Sequence, residues 1–148
     1  EFHWMKLKTL VYPWNGIEYI APARYGEDLE LALPEELGEL VGRIAREGGY
    51  ERLVVDLGRC GRGSLALLEV CDVIYMPVRD DRISQAKLEE FEAYITMADD
   101  GRVQEKIRKI RLPKEGPSSR RESYGDQLVW GELGDYVRRL LDGGQEEA

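Results

Sequence analysis

The stretch YERLVVDLGRCGRGS, Tyr50 to Ser64, decides how the rest of the chain is read. Leu53, Val54 and Val55 form a continuous apolar run with no alternation, the pattern of a strand buried on both faces. The run ends in a carboxylate, Asp56, and opens into a loop with Gly58, Gly61 and Gly63 interleaved with Arg59 and Arg62. A carboxylate at the carboxyl end of a strand can hold Mg²⁺ through water, while glycine-rich backbone can approach phosphate closely. Asp also ends strands as a turn former or helix cap, and spacing alone leaves both roles open.

Working outward, the same alternation of strand and helix patterns recurs. Upstream, LPEELGELVGRIAREGG predicts a helix with Pro34 at its first position. Its apolar set is Leu37, Leu40, Val41, Ile44 and Ala45, and Gly48-Gly49 stops it. GIEYIAPA predicts a short strand closed by Pro22. Downstream, SLALLEV reads as a short helix behind a cap at Ser64, and DVIYMPV as a second strand buried on both faces. ISQAKLEEFEAYITMA predicts a helix with Ile83, Leu88, Phe91 and Ile95 on one side. KIRKIRLP is ambiguous, since Val103, Ile107 and Ile110 suit a helix while the β-branched residues and Pro113 suit a strand end, and a strand beginning near Lys106 is the favoured reading. KEGPSSRRESYGDQ has the composition of a loop, and GELGDYVRRLLDGG predicts a last helix carrying Leu133, Tyr136, Val137, Leu140 and Leu141. The expected class is α/β, a mainly parallel sheet covered by helices.

Composition narrows the function classes. The 148 residues suffice for one domain, and 43% apolar with 34% charged residues is a globular balance. Apolar runs are far shorter than the ~20 residues of a membrane helix. Cys60 and Cys71, with one histidine, make no zinc spacing, and both read as packing thiols of an intracellular chain. A net charge of −8 argues against a nucleic-acid binder using its whole surface. The charge is uneven, however. Arg102 to Arg121 holds eight basic residues against Glu105 and Glu115, a net +6, while the remainder is net −14. That strip is the expected place for an anionic surface or nucleic acid to bind, unless it is only a solvated edge.

Ligands of a parallel sheet bind beyond the carboxyl ends of its strands. The positions expected there are Asp56 with the loop to Gly63, Arg79-Asp80-Asp81, and the loop after Pro113. His3 lies near the terminus, so no histidine-based triad is expected, and Asp80-Asp81 are adjacent and expected to diverge. The G-x-x-x-x-G-K-[ST] phosphate loop does not occur in these residues.

Four motifs in order carry a resemblance: YIAPARYGEDL, VVDLG, CDVIYMPVRDDRISQAK and GELGDYVRRLL. Together they resemble the region downstream of the phosphate loop in MinD/ParA-type ATPases, the deviant-Walker-A branch of P-loop NTPases. The nearest group is the CpaE-like pilus-assembly ATPases of bacteria, and the likeness runs from Ile17 to Leu141. It implies a P-loop NTPase-like fold that lacks the P-loop strand, with 17–142 as a partial ATPase domain. Residues 1–16 would be an extension or remnant, and 143–148 a flexible tail. Asp56 would be the Walker-B-type aspartate, catalytic and metal-holding, and Gly58 to Gly63 the switch II loop. The cofactor-binding set is then Asp56, Gly58, Gly61, Gly63 and Pro113, for ATP and Mg²⁺.

Two departures limit this carry-over. Switch II reads DLGRCGRG rather than the usual D-x-P/A-x-G type, and the lysine-bearing loop that holds the phosphates is missing. The expected function is therefore the Walker-B and switch II side of an ATPase for positioning or assembling surface or pilus machinery, not catalytic on its own. It would be cytoplasmic or associated with the membrane. Its partner would be a second copy or the missing amino-terminal half. The rival readings are a non-catalytic scaffold or adaptor with a degenerate nucleotide site, and an anion- or nucleic-acid-binding module using Arg102–Arg121. Without the P-loop strand, Leu53 to Val55 should have an unpaired edge, to be met by self-association or filled by LKTLVYPW, with Pro13 limiting the latter.

Overall fold

Asn15-Gly16 sets the first piece of tertiary structure. Both residues have positive φ, 47° and 84°, the requirement of a type I′ turn, and they join β1 (Val11–Trp14) to β2 (Ile17–Ile20) in an antiparallel hairpin. The computed structural model describes residues 4–22, 33–58, 64–99, 101–113 and 124–143. Its chain divides into two units, residues 1–67 and 68–148.

In the first unit, α1 (Trp4–Lys8) precedes the hairpin, and the Trp4 indole N–H donates to a Glu47 carboxylate oxygen at 3.3 Å. Hairpin pairs run Val11–Ile20, Tyr12–Tyr19, Pro13–Glu18 and Trp14–Ile17. The rings of Tyr12 and Tyr19 are tilted against each other with centroids 5.7 Å apart. LKTLVYPW is thus engaged with β2 and does not pair with residues 53–55.

The predicted helix is α2 (Pro34–Glu47), with proline at its first position. Glu36 accepts the Leu33 N–H at 3.3 Å, while the leucine side chain has no oxygen to return the bond and the Glu36 N–H goes to the Leu33 carbonyl at 3.0 Å, so the capping box is half made. Gly38, Gly42 and Ile44 are buried, whereas Ala45, expected on the inner side, is exposed. Beyond Gly48-Gly49, the Tyr50 hydroxyl donates to the Glu18 carboxylate and ties the helix exit to the hairpin. That acceptor raises the Tyr50 pKa above its ordinary value.

Residues 52–57 overturn the reading of RLVVDLG as a buried strand. They belong to no ladder, and Leu53 and Val54 are 40% and 80% exposed. Apolar β-branched residues are necessary for a buried strand but not sufficient. A strand also needs a neighbour's N–H and C=O groups, and in this unit the two described strands pair with each other.

α3 (Ser64–Val70) begins at the expected residue, with Ser64 itself buried in the first turn. A Cβ on Gly38 would lie 3.0 Å from the Ala66 carbonyl oxygen, so glycine lets α2 approach α3.

The second unit is built on β3 (Ile74–Pro77) and β4 (Ile107–Ile110), parallel, with Ile74 opposite Ile107 and Pro77 opposite Ile110. The crossover between them is α4 (Arg82–Asp99), followed by a 3₁₀ turn at Gln104–Lys106. Ile95 and Val103 are completely buried, with Leu68, Ile110 and Tyr136 nearly so. β3 alternates half-buried Ile74 and Met76 with exposed Tyr75 and Pro77, so it is covered on one face rather than the two expected. Ile83 is also displaced from the expected inner side of α4, at 71% exposure.

α5 (Tyr124–Trp130) starts inside the segment read as loop, which otherwise lies outside the described residues. Gly131, in extended conformation, turns the chain into α6 (Glu132–Leu141). Arg138 locks this corner. It donates to the Val129 carbonyl at 2.8 Å and to Asp135 at 2.6 Å, and its guanidinium stands 5.6 Å from the Trp130 ring centroid. The Tyr75 hydroxyl donates to the Leu140 carbonyl at 3.3 Å, which joins α6 to β3.

Among the described residues the protein is therefore mixed α/β with two two-stranded sheets, one antiparallel and one parallel, in place of the single mainly parallel sheet expected. No described helix is long and apolar enough to cross a membrane.

Asp81 caps α4. Its carboxylate accepts the Ser84 N–H at 2.9 Å and the Ser84 hydroxyl at 2.7 Å, and these bonds lower its pKa below the ordinary value. A depressed carboxyl contributes stability above its unfolded pKa and loses it as pH falls through the folded value. Asp81→Ala should therefore lower the urea midpoint at neutral pH. The gap to the unmodified chain should narrow as pH falls below about 4. A gap that is constant from pH 7 to pH 2.5 would exclude a role for the ionised cap.

Candidate functional site

Two places follow from the sequence, one in each unit. In the first, Asp56 is exposed and one of its carboxylate oxygens accepts the Gly58 N–H at 3.0 Å. This local turn holds the carboxylate over the start of the glycine-rich loop. Gly58 has φ 53°, in the left-handed region, with no atom within 4 Å of where a Cβ would stand. Glycine is therefore needed here for backbone conformation and not for space. Gly61 and Gly63 lie outside the described residues. Asp56 does not terminate a strand, because residues 52–57 form none.

In the second unit, β3 and β4 end at one edge, β3 beside Val78 as predicted and β4 at Ile110, short of the predicted Pro113. The Val78 N–H donates to the Ile110 carbonyl at 2.9 Å and prolongs the ladder by one bond, and half-buried Pro113 follows three residues beyond Ile110. Asp80 and Asp81 do diverge. Asp80 pairs with Arg111 at 3.0 Å while Asp81 caps α4, so they make no acid–base couple. Gln85 donates to the Arg79 carbonyl at 2.9 Å and fixes the turn between them. A largely exposed ion pair thus spans this edge.

The described cations of the basic strip are engaged within the chain. Arg102 lies 3.8 Å from Glu69, and Lys106 donates to the Glu69 carbonyl at 2.8 Å. Lys109 pairs with Glu92 at 2.6 Å and Arg111 with Asp80. Arg108 donates to the Glu105 carbonyl at 2.8 Å. A phosphate would compete with these contacts, although exposed pairs of this kind are weak, about 0–1 kcal/mol. Lys114, Arg120 and Arg121 lie outside the described residues.

Cys71 is half-buried, and burial pushes its thiol up against a smaller opposing pull from Lys106. This is the setting of a packing cysteine rather than a reactive one. Among the described residues, no three or more His, Cys, Asp or Glu side chains gather as metal ligands. The single Asp56 carboxylate fits Mg²⁺ held through water, but no described residue supplies the lysine-bearing phosphate cradle. No chemical step with ATP can be built from these groups.

The hairpin was the feature the sequence reading passed over. Tyr12 and Trp14 alternate onto the same face as Ile17 and Tyr19, and all four are about half exposed. The signal was present as Asn-Gly between two apolar, aromatic runs. Compared with models of protein families, with curated proteins and with solved structures, the chain matches none.

Proposed function

We propose that this chain is the Walker-B and switch II side of a MinD/ParA-like ATPase domain and does not hydrolyse ATP by itself. The reading rests on the order of the four motifs. The observation that carries it furthest is the parallel β3–α4–β4 unit, in which CDVIYMPVRDDRISQAK supplies a strand, its carboxyl edge and the crossover helix. Asp56, held by the Gly58 N–H, would act on Mg²⁺ only once a phosphate-holding loop is brought to it.

Calorimetric titration with ATP or ADP in Mg²⁺ should give no heat of binding, and phosphate release should stay at background. Mg²⁺-dependent release abolished by Asp56→Ala would overturn the reading. It would mean that another loop replaces the missing lysine. Reading the coding region upstream distinguishes the origins: an in-frame G-K-G-G-x-G-K-T makes the chain part of a longer ATPase.

A second reading, a non-catalytic interaction module, is favoured by the exposed face of Tyr12, Trp14, Ile17 and Tyr19. Aromatic residues are enriched in the buried cores of protein interfaces.

A further inference from the structure

Residues 51–57, Glu-Arg-Leu-Val-Val-Asp-Leu, have the composition of a strand and no ladder. From Val54 to Leu57 exposed and half-buried residues alternate, Val54 and Asp56 exposed and Val55 and Leu57 half-buried, while Arg52 and Leu53 are both exposed. Both edges of this segment lack hydrogen-bonded neighbours among the described residues. Such a segment recruits another strand, and its own sequence specifies which.

We propose that residues 51–57 pair antiparallel with the same residues of a second copy, about a two-fold axis through Val54. This inference stands apart from the nucleotide reading. In that register Val54 meets Val54, Leu53 meets Val55, and Arg52 meets Asp56, each of the last two pairs occurring twice. One face of the new ribbon then reads ion pair, valine pair, ion pair, and the other joins Leu53 to Val55. An Asp56 oxygen remains for arginine when the other accepts the Gly58 N–H.

Other registers are worse. An axis between Leu53 and Val54 sets Glu51 against Asp56, and one through Val55 sets Val54 against Asp56. Parallel in-register pairing stacks Arg52 on Arg52 and Asp56 on Asp56. Like charges directly opposite are destabilising, and opposite charges contribute about 0.2–1 kcal/mol per pair. The interface is isologous and uses one edge of each copy, so that edge is closed at two copies, and it is small enough to be concentration-dependent.

Sedimentation equilibrium on the 148-residue chain tests this with charge exchange. The unmodified chain should move from monomer toward dimer mass as concentration rises. Arg52→Asp and Asp56→Arg, each alone, place like charges opposite each other twice and should weaken association about tenfold or more. Mixing the two variants restores both ion pairs and should recover the dimer, as should the double variant R52D/D56R. Amide exchange at residues 52–57 in the unmodified chain should slow with concentration, a readout independent of whether any variant folds. A chain that stays monomeric, or whose exchange at 52–57 ignores concentration, overturns the proposal, and leaves the segment to a strand from another polypeptide. So does a dimer unaffected by either single exchange.

Discussion

Ile95→Ala should destabilise the second unit by about 2–5 kcal/mol, whereas Ile83→Ala, on the same helix, should stay within about 0.5 kcal/mol of the unmodified chain. Ile95 is fully buried together with Val103, so truncation loses transfer free energy and leaves a cavity its neighbours cannot fill. Ile83 is mostly exposed and loses little. Urea unfolding followed by far-ultraviolet circular dichroism measures both. Equal effects would mean that α4 is rotated from the orientation described.

The second large effect concerns Gly134. A Cβ there would lie 2.2 Å from the Val129 carbonyl oxygen and 2.6 Å from that of Leu128. Both obstacles are backbone at the end of α5, so no rotamer change relieves them. Gly134→Ala should therefore cost about 1–3 kcal/mol or more, although alanine is the better helix former by nearly 1 kcal/mol. Gly42, inside α2, provides the opposite case. Its Cβ would meet only the far end of the Arg46 side chain, at 3.0 Å, which can swing away. Gly42→Ala should stabilise by about 0.5–1 kcal/mol. If both alanines stabilise, the α5–α6 corner is looser than described.

These contrasts mark what the sequence could carry. Helix α2 was legible because proline, a helical apolar stripe and a double glycine agree on its limits. α4 was legible from its helical stripe, and β3 from its apolar β-branched run although one face is exposed, whereas β4 was open between strand and helix. Ile83 was misplaced because five residues at about 100° each set it roughly 140° round the helix from Leu88, outside the stripe of Leu88, Phe91 and Ile95. RLVVDLG was misread because composition reports a segment's fitness for a sheet and not the presence of a neighbour. Of the candidate site, Asp56 and Gly58 lie side by side through a bond between residues two apart in sequence. Whether a phosphate cradle meets them depends on contacts remote in the chain, which no local pattern encodes. The Asp80–Arg111 pair was invisible for that reason as well.

Pro13 gives the hairpin a property beyond its shape. The pair next to a two-residue turn, Trp14–Ile17, is the hydrogen-bonded kind, so Pro13–Glu18 falls on a non-bonded position, where the strand's N–H faces away from its partner. The residue there has no N–H to present. The outer rim of β1 is left with a gap in its donors, and an incoming strand cannot zip along it. A hairpin that displays Tyr12, Trp14, Ile17 and Tyr19 would otherwise seed fibrous stacking. One imino acid makes it sterile on that side.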